Sequence, residues 1–208
     1  NVTGVRAGTS GTVVLGYGAA TDLVVSAPAT ATNGAAMGSV TVTAKDSGGN
    51  TVEDFSDAVS LAASGAGYLT DTATGSLNAT THKVAVSTGW SSGVLTVTGL
   101  VITGTKGDYT LSVVDATASS VNGSDTVTLS YGDATHLSVA APAGAANGAA
   151  MDDVSVTALD SGENTAEGFG HAVKVSVTGD GHITGTTTGT LDPVTHVVTV
   201  DASEWDAG

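Results

Sequence analysis

Residues 40–61 read VTVTAKDSGGNTVEDFSDAVSL, and residues 154–175 read VSVTALDSGENTAEGFGHAVKV. In the first stretch Val40, Val42 and Ala44 alternate with Thr41, Thr43 and Lys45, the period of a strand that turns one face to a core. Asp46-Ser47-Gly48-Gly49-Asn50 then breaks the alternation. Asp and Asn side chains accept hydrogen bonds from nearby backbone and Gly accepts positive φ, so this segment predicts a hairpin or tight loop. Phe55 follows as a core plug, and residues 58–63 form the next strand. The second stretch gives the same signals in the same order: Val154, Val156 and Ala158, then Asp160-Ser161-Gly162-Glu163-Asn164, then Phe169 and residues 172–177.

The recurrence extends well beyond these stretches. Residues 17–89 align with residues 131–203 without a gap at a constant offset of 114, and about half of the aligned positions are identical. Tyr17-Gly18 returns as Tyr131-Gly132, and Asn33-Gly34-Ala35-Ala36-Met37 as Asn147-Gly148-Ala149-Ala150-Met151. A period of that length is a whole domain copied in tandem rather than a solenoid repeat. Thr12, Val13 and Leu15 align with Thr126, Val127 and Leu129. The expected division is therefore residues 1–16 as the terminal strand of a preceding repeat, 17–130 as a complete repeat, and 131–208 as a partial repeat lacking its last strands, the counterpart of 94–130. The same unevenness fits either a stretch of a longer array or protomers that complete one another by strand addition.

Composition narrows the class. Apolar residues make up 40% of the chain and aromatic residues only 4%, with 29 Gly and 3 Pro among 208 residues. β-branched residues favour strands and frequent Gly interrupts helices, so the chain reads as all-β. Leu23, Val25 and Ala27 share one parity and recur as Leu137, Val139 and Ala141, whereas Val24 drifts to Ser138. The recurring parity marks the core face. His82, Val84 and Val86 share a face, as do His196, Val198 and Val200. Residues 94–102, 109–114 and 126–129 supply further strands, giving seven or eight per repeat and a β-sandwich. The step from Leu129 through Tyr131 to Leu137 leaves almost no linker, so neighbouring repeats should be closely coupled.

Twenty acids against five Lys plus Arg give a formal net charge of −15. Nucleic-acid binding needs cationic groups that displace counterions from phosphate, and binding to anionic lipid needs the same; this balance disfavours both. Cys is absent, which excludes disulfides, thiol chemistry and Cys-based zinc sites. No apolar run is long enough to span a bilayer as a helix, and no signal peptide opens the chain. If the protein is exported, its signal is expected upstream of residue 1 or already removed.

The strand–turn–strand stretches 40–61 and 154–175 resemble bacterial immunoglobulin-like repeats of the kind found in invasin- and intimin-like adhesins, filamin-like arrays, S-layer proteins and extracellular fibres. The shared pattern is V-x-V-T-A-x-D-x-x-G-N-x-V followed by an aromatic and a further alternating strand. One departure lies in the turn, where Gly49 or Glu163 stands between Gly and Asn. The strong match covers about twenty residues per copy. The resemblance implies tandem immunoglobulin-like β-sandwich repeats of about 114 residues serving as a stalk or scaffold outside the cell, and it brings no catalytic residues.

No catalytic signature is present: there is no H-E-x-x-H, no phosphate-binding G-x-x-x-x-G-K-[ST] and no G-x-S-x-G. The recurring carboxylates Asp46, Glu53, Asp160 and Glu167 are candidate calcium ligands, since calcium gathers carboxylate and carbonyl oxygens at repeat junctions. The competing reading makes Asp46 and Asp160 caps of the turn backbone. Trp90 and Trp205 pair once a one-residue insertion is allowed. They are either exposed platforms for a glycan or large apolar anchors buried at a domain junction. His82 and His196 are expected as hydrogen-bonded structural residues at a sandwich edge. Taken together, these features predict a non-enzymatic extracellular, cell-surface structural protein of a prokaryote: a repeat segment of a fibre, S-layer or adhesin stalk whose partners are copies of itself. Two alternatives stay open. One is an adhesin module that holds a cell-surface glycan or protein; the other is an accessory module of a secreted polysaccharide-degrading enzyme.

Overall fold

The computed structural model describes residues 11–205. The described chain is all-β apart from one 3-10 turn at Ala202–Glu204. The first copy holds eleven strands: β1 (Ala20–Ser26), β2 (Thr30–Thr32), β3 (Val40–Asp46), β4 (Val59–Ala63), β5 (Tyr68–Asp71), β6 (Ser76–Asn78), β7 (Lys83–Val86), β8 (Val94–Val97), β9 (Val101–Thr103), β10 (Gly107–Asp115) and β11 (Asn122–Ser130). The second holds β12 (His136–Ala140), β13 (Ser155–Leu159), β14 (Val173–Val175), β15 (Thr190–Leu191) and β16 (Val198–Val200).

Two sheets face each other in the first copy. One has the order β1-β3-β8; the other runs β2-β11-β10-β4-β7-β6, with β5 and β9 forming a separate ribbon. Pairing is antiparallel except where β2 lies parallel to β11. The alternation that set the sequence reading is the alternation of burial. In β3, Val40, Val42 and Ala44 are fully enclosed while Thr41, Thr43 and Lys45 are half-buried. Leu23 of β1 and Leu95 and Val97 of β8 extend that inner face. Val59, Leu61, Val84, Val86, Leu111, Val113, Val127 and Leu129 meet it from the second sheet. Each enclosed Leu contributes roughly 1.5–3 kcal/mol over an exposed one. Every buried member of this cluster lies between Leu23 and Leu129. The first copy therefore closes its core without a side chain from the second.

Three sequence expectations change here. The first copy has eleven strands rather than seven or eight, because several runs divide. Residues 94–102, expected as one strand, split into β8 and β9, which belong to different sheets. The break is at Gly99, whose φ of +69° is left-handed and whose α-carbon packs so closely on Ala73 that an added Cβ would sit 2.6 Å from the Ala73 Cβ. A side chain fails there on both counts. Finally, residues 11–16 join no strand, and Val13, Val14 and Leu15 are exposed. The rest of the expected terminal strand, residues 1–10, lies outside the described residues.

In the second copy the local pairing repeats while the sandwich does not close. β12 pairs with β13 in the register of β1 with β3: Leu137 faces Ala158 as Leu23 faces Ala44, and Val139 faces Val156 as Val25 faces Val42. β14, β16 and β15 form a second, separate sheet. Among the described residues no strand stands where β8, β10 and β11 stand in the first copy, and Leu137, Val139 and Met151 are exposed.

Candidate functional site

The turn after β3 is held by one carboxylate. Asp46 Oδ1 accepts hydrogen bonds from the backbone N–H of Gly48 at 2.9 Å and of Asn50 at 2.8 Å. Oδ2 accepts from the Gly18 N–H at 2.8 Å, tying the turn to the segment that enters β1, and the Asn50 amide reaches both oxygens. Asp160 repeats the set with Gly162, Asn164 and Gly132. These donors stabilise the ionised form. The Gly18 N–H foremost, then Asn50, holds the Asp46 carboxyl at about 2. Burial pushes Asp160 upward, but the Gly132, Asn164 and Gly162 donors outweigh it and hold that carboxyl also at about 2.

This geometry assigns Asp46 and Asp160 to capping the turn. Both oxygens of each already face N–H donors, which is how a turn cap is built. Glu53 is exposed, and Glu167 pairs with Lys106 at 3.1 Å. Among the described residues no group of three or more His, Asp or Glu is placed to hold a metal ion.

The two Trp residues occupy one local niche, built twice. Trp90 lies half-buried against Phe55, edge to face with ring centroids 4.7 Å apart, and its indole N–H donates to the Asp57 carbonyl at 2.9 Å. Trp205 packs on Phe169 at 4.8 Å and donates to the His171 carbonyl at 2.9 Å. Such pairs contribute about 0.5–1.5 kcal/mol beyond area burial. Both rings are half-buried. Each clamps the loop behind its own Phe.

His82 departs from its expected place. It lies in the turn before β7 in the left-handed region, φ 53°, and its backbone N–H donates to the Asn78 carbonyl. Its ring stacks on Tyr68 at 4.4 Å, and its buried Nδ1 has no hydrogen-bond partner. His196, φ 56°, repeats the turn with Asp192 in the role of Asn78 and stacks on His182, which stands at the position of Tyr68. Strict alternation through Val84 and Val86 placed His82 on the strand; the Asn78 side chain, which takes the N–H groups of Thr80 and Thr81, curls the chain before the strand begins.

The residues that do come together from different parts of the chain lie where the first copy meets the second. The Asp160–Asn164 turn abuts the loop after β9 and the Asn33 turn. Asn164 Nδ2 donates to the Gly104 carbonyl at 2.9 Å, and its Oδ1 accepts the Lys106 N–H. The Asn33 amide reaches Ser161 Oγ at 3.3 Å, while its own Oδ1 takes the buried Gly104 N–H at 2.9 Å. Lys106 Nζ joins Glu167 and lies 5.4 Å from the centre of the Tyr131 ring, within cation–π range. Two glycines let backbones touch: a Cβ on Gly132 would lie 2.2 Å from the Asn33 carbonyl oxygen, and one on Gly162 would lie 2.1 Å from that of Gly104. Sequence reasoning found Asp160 and Glu167 here but not Lys106, Asn33 or Gly104. The available signal was that Asn33 and Gly132 recur in both copies although neither is a core residue type.

No family model matches the chain, and no curated protein sequence matches it. Among solved structures, domains 5–6 of the S-layer protein SbsC match at 18% identity and a TM-score of 0.31, over 86% of this chain and 82% of that one. A longer structure of the same surface layer protein, domains 4–9, matches at 18% identity and a TM-score of 0.33, over 88% of this chain and 27% of that one.

Proposed function

We propose that this chain is a non-enzymatic, extracellular structural protein: a repeat segment of a prokaryotic surface fibre, S-layer or adhesin stalk built from immunoglobulin-like sandwiches. The observation that carries the reading is the junction. Residues 131–135 alone separate β11 from β12, and the neighbouring copies are joined by side-chain and backbone hydrogen bonds, an ion pair and two backbone contacts at glycine. A chain whose repeats are coupled this directly transmits load from one sandwich to the next, as a stalk or lattice requires. The strand order supports the immunoglobulin-like assignment. The order β1-β3-β8 matches that expected for strands A, B and E of one sheet, and the order of β4, β10 and β11 that expected for C, F and G of the other. The acidic, Cys-free composition fits the exterior of a cell, where negative charge keeps neighbouring assemblies apart.

Immunogold labelling of intact source cells, read by electron microscopy, tests this. Label along a regular fibre or sheet on the outer surface is the expected result; label confined to the cell interior overturns it.

A further inference from the structure

The second copy presents Tyr131, Gly132, Ser161, Gly162, Asn164 and Glu167 to the first. At the offset of 114 all six recur without change, as Tyr17, Gly18, Ser47, Gly48, Asn50 and Glu53. Several positions among them do not: Ala19, Lys45, Gly49, Val52 and Asp54 stand against Asp133, Leu159, Glu163, Ala166 and Gly168, although Ala20, Asp46 and Thr51 recur as Ala134, Asp160 and Thr165. All six residues used at the junction are thus retained while several of the surrounding positions have drifted.

In the first copy, among the described residues, no second copy meets the same six positions. Gly18 is exposed where Gly132 is buried. The comparison at this position is sharp. At Gly132 a Cβ would collide with the Asn33 carbonyl, so only glycine fits; at Gly18 a Cβ would find only Asp46 atoms at 3.8 Å, and φ lies outside the left-handed region. Nothing within the first copy requires glycine there. Asn50 uses its amide on Asp46 as Asn164 does on Asp160, yet among the described residues its Oδ1 takes no donor, whereas Asn164 Oδ1 holds the Lys106 N–H. Glu53 is exposed, and among the described residues it has no cationic partner.

We infer that the end of the first copy formed by Tyr17, Gly18, Gly48, Asn50 and Glu53 is a socket for the opposite end of another copy of this repeat. The Asn33 turn and the Gly104–Lys106 loop of that second copy seat in it as they seat here against residues 131–167. The contact is heterologous: socket and plug lie at opposite ends of the repeat, so successive contacts build an open chain rather than a closed dimer. The inference deepens the scaffold reading and rests on it for its biological purpose, while its geometry stands on the junction alone.

Residues 17–130 contain the whole first-copy core and, cut from the second copy, carry an uncovered plug, so they serve as the probe. The immobilised 208-residue chain should capture this segment, and the segment alone should associate progressively as its concentration rises. Gly18→Ala in the immobilised chain should weaken capture by at least about tenfold while leaving its melting temperature unchanged, because the added methyl meets the incoming Asn33 carbonyl and nothing of its own copy. Lys106→Glu in the segment should also weaken capture, and Glu53→Lys in the immobilised chain should restore it. No capture, or capture indifferent to Gly18→Ala, overturns the socket. If the segment does not fold alone, a chain with an extra copy of residues 17–130 placed directly before Tyr17 gives the same reading by small-angle scattering. Gly18→Ala should then loosen the new junction, and unchanged rigidity overturns the proposal. Capture by a protein found only inside cells would keep the socket and remove the scaffold role; surface label without capture would do the reverse.

Discussion

The two copies contain nearly the same first half and end in different states. Leu23 is 1% exposed and Leu137 41%; Met37 is 8% exposed and Met151 48%. The capping turns, by contrast, agree closely. The Gly48 and Gly162 N–H groups reach their Asp at 2.9 and 2.8 Å, those of Gly18 and Gly132 at 2.8 and 2.7 Å, and the two Trp–Phe clamps differ by only 0.1 Å in centroid separation. Contacts within a turn, a hairpin or a loop clamp come with the local sequence. Enclosure of the apolar face in the first copy comes with β8, β10 and β11, which pair with strands distant in sequence, and among the described residues no strand covers Leu137 or Met151 in the same way.

The largest test of that contrast is core truncation. Leu23→Ala should cost about 2–5 kcal/mol, the range for an enclosed Leu, and Leu137→Ala under about 1 kcal/mol. The chain has only two Trp residues, so urea melts of Trp90→Phe and Trp205→Phe backgrounds report the copies separately. Equal costs would break the comparison.

A smaller effect concerns acid. Both turn aspartates are held at about 2, below the ordinary carboxylate value. A depressed folded-state pKa means stability that is fully present above pH ~4 and lost as pH falls through the folded value toward 2. Melting temperature should therefore drop over that window. Asp46→Asn should flatten the dependence for the first copy and Asp160→Asn for the second. Asp160→Asn should in addition loosen the junction, seen as an increase in radius of gyration. An acid profile unchanged in both variants would remove the turn carboxylates as the cause.

The smallest effect is expected from chelation. A resident calcium ion would raise stability by mass action, and its removal would lower the melting temperature. With the Asp46 and Asp160 oxygens already taken by N–H donors, chelator should leave both copies unchanged. A fall confined to one copy would show that the two turns differ in a way their hydrogen bonds do not reveal.

Much of the fold was legible because its signals are local. Parity in Val40, Val42 and Ala44 identified an inner face, and Asp46 through Asn50 announced a turn by residue chemistry. His82 was misread because period-2 alternation does not say where a strand starts; the Asn78 side chain decides that. The division between β8 and β9 was missed because Gly99 reads as an ordinary small residue until Ala73, distant in sequence, is seen against it. At the candidate site Asp160 and Glu167 were legible as recurring carboxylates. Lys106 was not, since it falls where the second copy has no counterpart to compare.

By itself the sequence determined that this protein is all-β, that residues 17–89 recur at an offset of 114, and that the same capped turn is built twice, since alternation, turn chemistry and repetition act over short stretches of chain. Only the tertiary structure decided which apolar faces are enclosed, that Trp90 and Trp205 clamp their own loops, and that Gly132 and Gly162 are contact points between copies. Those outcomes depend on which distant backbone arrives at a given surface, and a linear pattern carries no record of that arrival.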